Sequence, residues 1–231
     1  MTLQPVARCV AVSRVFEVPQ HRGAAATVLA LDAVNIDVAP GGLLALSGAS
    51  GSGKSTLLSL LAALDRPTSG SVHVAGRDIG SLGRAARRRL RRSTAVLVLP
   101  QPADNLLLAL SGRGNLLSVA RVRGIGDRAE AVIESLVEQM ELAAFVDQPC
   151  AVMSGGEQQR LAVACALVGA PPLLLADEPT GALDQASAAT LITSLRAAVQ
   201  GGATIIAATH DPNVIAAADS VVRLDHGRRV S

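Results

Sequence analysis

Apolar residues follow two periods along this chain, and the places where the period changes mark its elements. Pro5 to Phe16 carries the β-branched Val6, Val10, Val12 and Val15, which predicts a strand. Gln20 to Thr27 reads as a Gly/Ala-rich turn. In Val28 to Val38 the apolar Leu29, Leu31, Val34, Ile36 and Val38 alternate with polar residues, as in a half-buried strand pairing with the first. Leu43 to Leu46 is a short continuous apolar run, followed by a helix from Lys54 to about Asp65-Arg66-Pro67. A strand over Ser71 to Ala75, a helix over Ser81 to Arg92 and an apolar strand over Ala95 to Leu99 come next. Pro100 and Pro102 stop that strand, because each lacks a backbone N–H and restricts its neighbour.

Ala103 to Val152 differs in kind. It has no strong β-run, and its best helix, Arg128 to Leu142, repeats Ile133, Leu136, Val137 and Met140 at helical spacing. An alternating stretch then resumes: helix Glu157 to Val168, strand Leu173 to Asp177, helix Ser187 to Val199 and strand Thr204 to Thr209. Ser220 to Leu224 and Arg228 to Val230 flank Asp225-His226-Gly227 as a terminal hairpin. Strands alternating with helices predict an α/β fold with a mainly parallel sheet. Ligands on such sheets sit at the carboxyl ends of the strands. The Gly48 loop, Gln101, Asp177 and His210 all fall at such ends, so residues remote in sequence are expected on one edge.

Composition narrows the class. Of 231 residues, 49% are hydrophobic and 17% charged, enough apolar matter for a substantial core; Phe16 and Phe145 are the only rings, so that core is aliphatic. The net charge of +2 argues against a nucleic-acid partner, and the run Arg84 to Arg92 reads first as a solvated helix face, with contact to anionic lipid headgroups or to a partner as the lesser alternative. Cys9, Cys150 and Cys165 have neither metal-ligand spacing nor a disulfide framework, which fits a reduced cytoplasmic setting. There is no basic-then-apolar signal segment and no apolar run long enough for a bilayer, so a membrane link is expected through another chain.

The chemistry begins between the Leu43 run and the Lys54 helix. Gly48-Ala49-Ser50-Gly51-Ser52-Gly53-Lys54-Ser55, followed by Thr56, is G-x-x-x-x-G-K-S, the phosphate-cradling loop of nucleoside triphosphatases. Its glycines let successive N–H groups converge on phosphate oxygens, and the helix start adds a positive dipole end. Lys54 supplies a point charge for the β- and γ-phosphates, and the Ser55 hydroxyl a ligand for Mg2+. Asp177-Glu178 after an apolar strand offers one carboxylate to the Mg2+ shell and a second to an attacking water. No Asn-Lys-x-Asp guanine-reading motif occurs, which counts against a GTPase.

Met153-Ser154-Gly155-Gly156-Glu157-Gln158-Gln159-Arg160 adds a second anion site: Ser154 is a helix N-cap, Glu157 completes a capping box, and Gly155 and Gly156 leave the tip bare. This stretch resembles the signature motif of ATP-binding-cassette ATPases. The rest agrees in order and interval: phosphate loop, Gln101, signature, Leu173–Glu178, Gly181-Ala182-Leu183-Asp184 and Thr209-His210-Asp211. Leu64 to Gly70 and Leu175 to Asp184 look most like the branch holding the ATPases of macrolide exporters, lipoprotein-releasing systems and the cell-division complex.

The resemblance implies a P-loop NTPase fold of the RecA-like kind, with an N-terminal antiparallel β-subdomain and an inserted helical subdomain. Residues 1–231 would form one domain, with 1–102 and 157–231 as the α/β core and β-subdomain and 103–156 as the helical part. It implies two ATP held between two head-to-tail ATPase subunits, a homo- or heterodimer, with Lys54 and Ser55 of one facing Ser154 and Gly156 of the other across the γ-phosphate, and with Gly155 and Glu157 also nucleotide-binding. Glu178 would polarise the water, Gln101 would touch Mg2+ or that water, and His210 would hold the γ-phosphate. Asp184 would lie at the seam, and Phe16 would stack on adenine. A transmembrane permease would seat the subunit on the inner face of the cell membrane. The permease would either carry a lipid-, peptide- or macrolide-like substrate or transmit force to a cell-envelope enzyme. A soluble cassette without transport is a further alternative. Met153, Pro100 and Cys165 depart from the family pattern, Cys165 standing where many members carry Arg.

Overall fold

A computed structural model describes residues 4–18 and 26–230. Most of the expected Gln20 to Thr27 turn lies outside the described residues. Four strands, β1 (Ala7–Val18), β2 (Ala26–Val38), β4 (Ser69–Val74) and β5 (Arg77–Asp78), form an antiparallel sheet in the order β2-β1-β4-β5. Six more, β3 (Gly42–Ser47), β6 (Ala95–Val98), β7 (Leu173–Asp177), β8 (Thr204–Thr209), β9 (Ser220–Asp225) and β10 (Arg228–Arg229), form a second sheet. Its order is β10-β9-β3-β8-β7-β6. All pairs in it are parallel except β9 with β10, the terminal hairpin.

The apolar runs have a direct explanation in this sheet. Successive side chains of a strand point to opposite faces, so a strand covered on both sides must be apolar throughout. Leu43, Leu174, Ile205 and Ala207 enter one core cluster, and Leu44, Leu46, Leu173, Leu175, Ile206 and Ala208 enter the other. The first core is closed by helices α3 (Gly112–Arg123), α4 (Ala129–Gln139), α5 (Gly155–Leu167) and α6 (Gln185–Gln200). The second is closed by α1 (Lys54–Leu61), Leu90 of α2 (Arg84–Ser93) and the inner face of the antiparallel sheet. The short helix α7 (Pro212–Ala217) adds Val214 to the first core.

Several boundaries differ from the expectation, each for a local reason. Helix α1 ends at Leu61 because Ala63 turns left-handed (φ 53°), and the chain then bends so that Asp65 meets Arg14 at 2.7 Å. Helix α2 begins at Arg84 rather than Ser81, since Asp78 accepts from Gly80 N and its carbonyl from the Ser81 hydroxyl, holding 78–81 as a turn. Helix α3 was hidden by Gly112 and Gly114; Ser111 caps its start by accepting from Gly114 N, and left-handed Gly124 ends it.

The antiparallel sheet is pinned at one bulge. Register shifts between Val10 and Ser13 where β1 meets β4, and Ala11 takes φ 46° there. Gly70 lies opposite with φ +78°, and a Cβ on it would stand 2.2 Å from Ala11 O. Gly70→Ala is therefore expected to cost more than about 2 kcal/mol, strain plus clash. Equilibrium urea unfolding should show the loss as a lowered midpoint, whereas Gly76→Ala, with open space around it, should lose only the strain part.

Candidate functional site

A cleft of about 570 Å³ opens at the carboxyl end of the parallel sheet. One wall is Ser50 to Thr56, with Gln101, Glu178, Gly181, Ala182 and His210 around it; the other is Val28, Leu29 and Ala30 of β2. The topology thus gathers the ends of β3, β7 and β8 and the loop after β6 beside one edge of the antiparallel sheet.

The phosphate loop cannot bulge away from the cleft, because two distant segments brace it. Gly227, in the hairpin turn, donates its N–H to Ser52 O at 3.1 Å and accepts from Asp32 N at 2.8 Å. Arg228 anchors that turn to Asp32 with Nε at 2.7 Å and Nη2 at 2.6 Å from Oδ2. A Cβ on Gly53 would stand 2.5 Å from Ala30 O, and one on Gly48 2.3 Å from Leu224 O. These two glycines are required by close backbone approach as well as by curvature. Sequence reasoning missed Asp32, Gly227 and Arg228 as parts of the site. Their separation in the chain hides the contact, and only the Asp-His-Gly hairpin signal pointed to that turn.

Lys54 is 7% exposed, and its ammonium donates to Gly48 O at 2.8 Å and Ala49 O at 3.1 Å. Glu178 Oε1 lies 3.6 Å from the same nitrogen, and Glu178 Oε2 lies 3.0 Å from His210 Nδ1. The Glu178 backbone is left-handed (φ 45°) and tied by its N–H to Ala208 O at 2.8 Å. A non-glycine residue there is held against its preference by the surrounding structure. Part of that hold is Thr180, whose hydroxyl donates to Asp211 Oδ2 at 2.8 Å and so ties the loop after β7 to the loop after β8. Asp211 in turn caps α7.

Asp177 is buried, and its Oδ1 has no hydrogen-bond partner. Burial pushes its carboxyl above the usual range, opposed mainly by a hydrogen bond from Ser55, while Glu178 adds to the rise and Lys54 opposes it. An orphaned carboxylate oxygen beside a serine hydroxyl fits a hard divalent cation, which both oxygens can ligate. Gln101 is exposed at the cleft, and its backbone is fixed by Asn105. That side chain pairs with Leu99 N (2.8 Å) and Leu99 O (3.0 Å) and donates to Gln101 O (2.9 Å). The loop between Pro100 and Pro102 is held by this amide as well as by the prolines.

Phe16 does not line the cleft. It stands opposite Val28, which does, and its ring faces the Arg14 guanidinium at 4.3 Å. Ser154, Gly155, Gly156 and Glu157 are also away from their own chain's cleft. The capping box is complete, with Ser154 N donating to Glu157 Oε2 at 2.8 Å and Glu157 N to Ser154 Oγ at 3.3 Å. The two signature glycines are unlike each other. Gly155 has open space around it, whereas a Cβ on Gly156 would stand 2.7 Å from Ser187 Oγ, so Gly156 is a packing glycine. Ser187 also holds Asp184, donating its N–H and hydroxyl to the carboxylate at 2.9 Å each, and these bonds keep Asp184 below the usual carboxylate range. Cys165 is buried and its thiol is pushed up to about 12 by that burial. A guanidinium does serve this part of α5: Arg123 donates to Ala166 O and Val168 O.

With this geometry in place, the comparisons with known proteins are direct. Residues 31–181 match a family model described as ABC transporter. The chain is 41% identical over 203 residues to the macrolide export ATP-binding/permease protein MacB of Rhodopseudomonas palustris, covering 87% of this chain and 31% of that one. It is 38% identical over 224 residues to the lipoprotein-releasing system ATP-binding protein LolD of Chromohalobacter salexigens, covering 96% and 91%. Among solved structures, a dimeric ATP-binding cassette in a post-hydrolysis state bound to ADP and Pi matches with a TM-score of 0.86 at 28% identity, covering 97% of each chain. The chain belongs to the ABC transporter family. Within it, the chain is an ATP-binding, ATP-hydrolysing cassette with the P-loop α/β fold, similar to MacB and LolD. It spans about a third of the length of the MacB relatives.

The brace behind the phosphate loop makes a test. Asp32→Ala removes the Arg228 anchor of the Gly227 turn while leaving its backbone bonds and the cleft lining in place, and is expected to weaken ATP binding about 3- to 10-fold, the factor that ~1 kcal/mol supplies. The charge swap Asp32→Arg with Arg228→Asp should restore most of it. A fluorescent-nucleotide titration reads both; equal affinity in Asp32→Ala and wild type would remove the brace from the site.

Proposed function

We propose that two copies of this cassette, or this cassette and a close relative, close head to tail over two ATP and drive a membrane permease. The observation that supports this best is the capped tip of α5. Its first residue space is open at Gly155, its dipole end is positive, and it lies outside its own chain's cleft. A phosphate site built on one surface and a phosphate cleft built on another are complementary in a second copy, and the solved relative is a dimer.

In that arrangement the phosphate loop amides and Lys54 hold the β- and γ-phosphates, and Ser154 and Gly155 of the opposing copy meet the γ-phosphate. Lys54 then exchanges its two loop carbonyls and Glu178 for phosphate oxygens. Ser55, Asp177 and Gln101 would hold Mg2+, which supplies charge neutralisation to the departing ADP. Glu178, freed from Lys54, accepts a proton from a water whose oxygen attacks the γ-phosphorus as the bond to the β-phosphate oxygen breaks. His210 Nδ1 aims Glu178 from its other oxygen and stands within the same cleft to reach the γ-phosphate. Val28 and Leu29 offer the adenine an apolar wall, with Phe16 beside Val28 on the neighbouring strand and Arg14 covering one face of its ring. Asp184, fixed by Ser187, would lie at the seam.

The permease surface follows from exposure. Leu99, Leu107, Leu108 and Leu110 are 37–58% exposed around the Asn105-held loop that ends at Gln101. A cluster of solvent-facing leucines beside a catalytic loop fits a partner helix. Residues 103–156 would move as the helical unit that carries this surface and the signature together. No described helix is long and apolar enough to cross a membrane, so the permease would hold the cassette at the cytoplasmic face.

Glu178→Gln is expected to bind ATP and lose about 10²- to 10⁴-fold in turnover, the range of a lost general base. A steady-state phosphate-release assay measures it, and near wild-type turnover would take Glu178 out of that role. Lys54→Ala is expected to lose ATP affinity in a direct titration; unchanged binding would contradict the phosphate-loop assignment.

A further inference from the structure

Helix α2 carries arginines at 84, 87, 88, 89, 91 and 92 in ten residues and no acid. Leu90 is fully buried on its inner side. Arg84, Arg87, Arg88 and Arg91 recur at i, i+3, i+4 and i+7, so they form one stripe. That stripe lines a cavity of about 510 Å³ around Leu64, which is 50% exposed. Among the described residues no ion pair includes any of the six arginines. Arg91 donates to Ala63 O at 2.7 Å, and the buried Nε of Arg87 has no partner. The neighbouring Asp65 is already taken by Arg14 at 2.7 Å.

Electrostatically this helix is built against itself. Like charges at i and i+4 repel. Arg84 and Arg87 sit in the first turn, where the dipole is already positive, and no side chain caps that end. Phosphate oxygens along the stripe relieve all three conflicts, and guanidinium is the group that binds them bidentately.

We propose that the α2 stripe rests on the anionic headgroup layer of the membrane, each guanidinium on a lipid phosphodiester and Leu64 at the level of the acyl esters. One residue, Thr94, separates α2 from β6, the strand that leads into the Leu99 loop, so the stripe and the leucine surface assigned to the permease sit on consecutive segments of the chain. The inference rests on that placement at a membrane. Nucleic acid fits less well. The net charge is only +2, and the two aromatic rings, Phe16 and Phe145, are each faced by an arginine from outside α2, so no stacking platform accompanies the stripe.

The test uses the full chain without a permease. It is sedimented with vesicles of phosphatidylcholine alone or mixed with phosphatidylglycerol at about 0.1 M salt. Binding is expected only to the mixed vesicles and should fall as salt rises. Arg84→Gln, Arg87→Gln and Arg88→Gln together, three stripe positions that leave Leu90 and the Arg91–Ala63 bond in place, should lower partition about 100-fold. The same three positions as Lys should keep most of it. ATP hydrolysis in solution should be unchanged in both triple variants, which separates failure here from failure of the ATPase reading. Equal binding to neutral vesicles, full binding by the Gln variant, displacement by inorganic phosphate beyond that of chloride at equal ionic strength, or preference for duplex DNA over the mixed vesicles would each overturn the proposal.

Discussion

Everything in the site is arranged around one buried ammonium. Lys54 sits almost out of solvent between the carbonyls of Gly48 and Ala49 and the carboxylate of Glu178. A buried cation is tolerable only when its protons are satisfied, and the phosphate loop satisfies them with its own backbone. Under the proposed function that arrangement is an exchange: triphosphate oxygens would replace the carbonyls, and Glu178 would be released toward water. The loop must hold its curve for the exchange to work. Its curve is held from within by Lys54 on those carbonyls and by Ser52 N on Ala49 O, and from outside by Gly227 N on Ser52 O, with Ala30 packed close against Gly53.

The same logic extends across the sheet edge. Glu178 stays in a left-handed backbone because its N–H is fixed to Ala208 O and Thr180 is fixed to Asp211. Gln101 is presented by an asparagine that closes the loop behind it. The loops after β7 and β8 are tied to each other, the phosphate loop is tied to the hairpin turn at Gly227, and the Gln101 loop is closed on itself. The antiparallel sheet supplies the apolar wall and one brace, the parallel sheet supplies the charges, and the helix tip at Ser154 lies outside its own chain's cleft.

Much of this was legible in the chain. The buried strands Leu43–Leu46, Leu173–Asp177 and Thr204–Thr209 stood out because a strand covered on both faces must be apolar throughout. The phosphate loop, the Asp177-Glu178 pair and the capping box at Ser154 were legible because their chemistry is local in sequence. What stayed hidden was non-local or masked by propensity. Helix α3 begins with glycines that argue against helix until its Ser111 cap and Gly124 stop are seen in place. The Asp32–Arg228 pair joins residues 196 apart, and no periodicity reports such a pairing. Gly155 and Gly156 look alike in sequence, yet only Ser187, from another helix, makes the second one obligatory. Phe16 was read from its position in the family pattern, and only the fold reveals Arg14 lying across its ring.

The central claim is that the α5 tip of one copy completes the phosphate cleft of another. Its most direct measurement is site-directed cross-linking of Glu178→Gln chains carrying a single cysteine, either Ser50→Cys or Gly155→Cys, with a short bifunctional maleimide. Both positions are exposed and the native cysteines are buried. A mixture of the two chains is expected to give a covalent dimer that requires ATP. No dimer with ATP, or the same yield without it, would contradict the shared site.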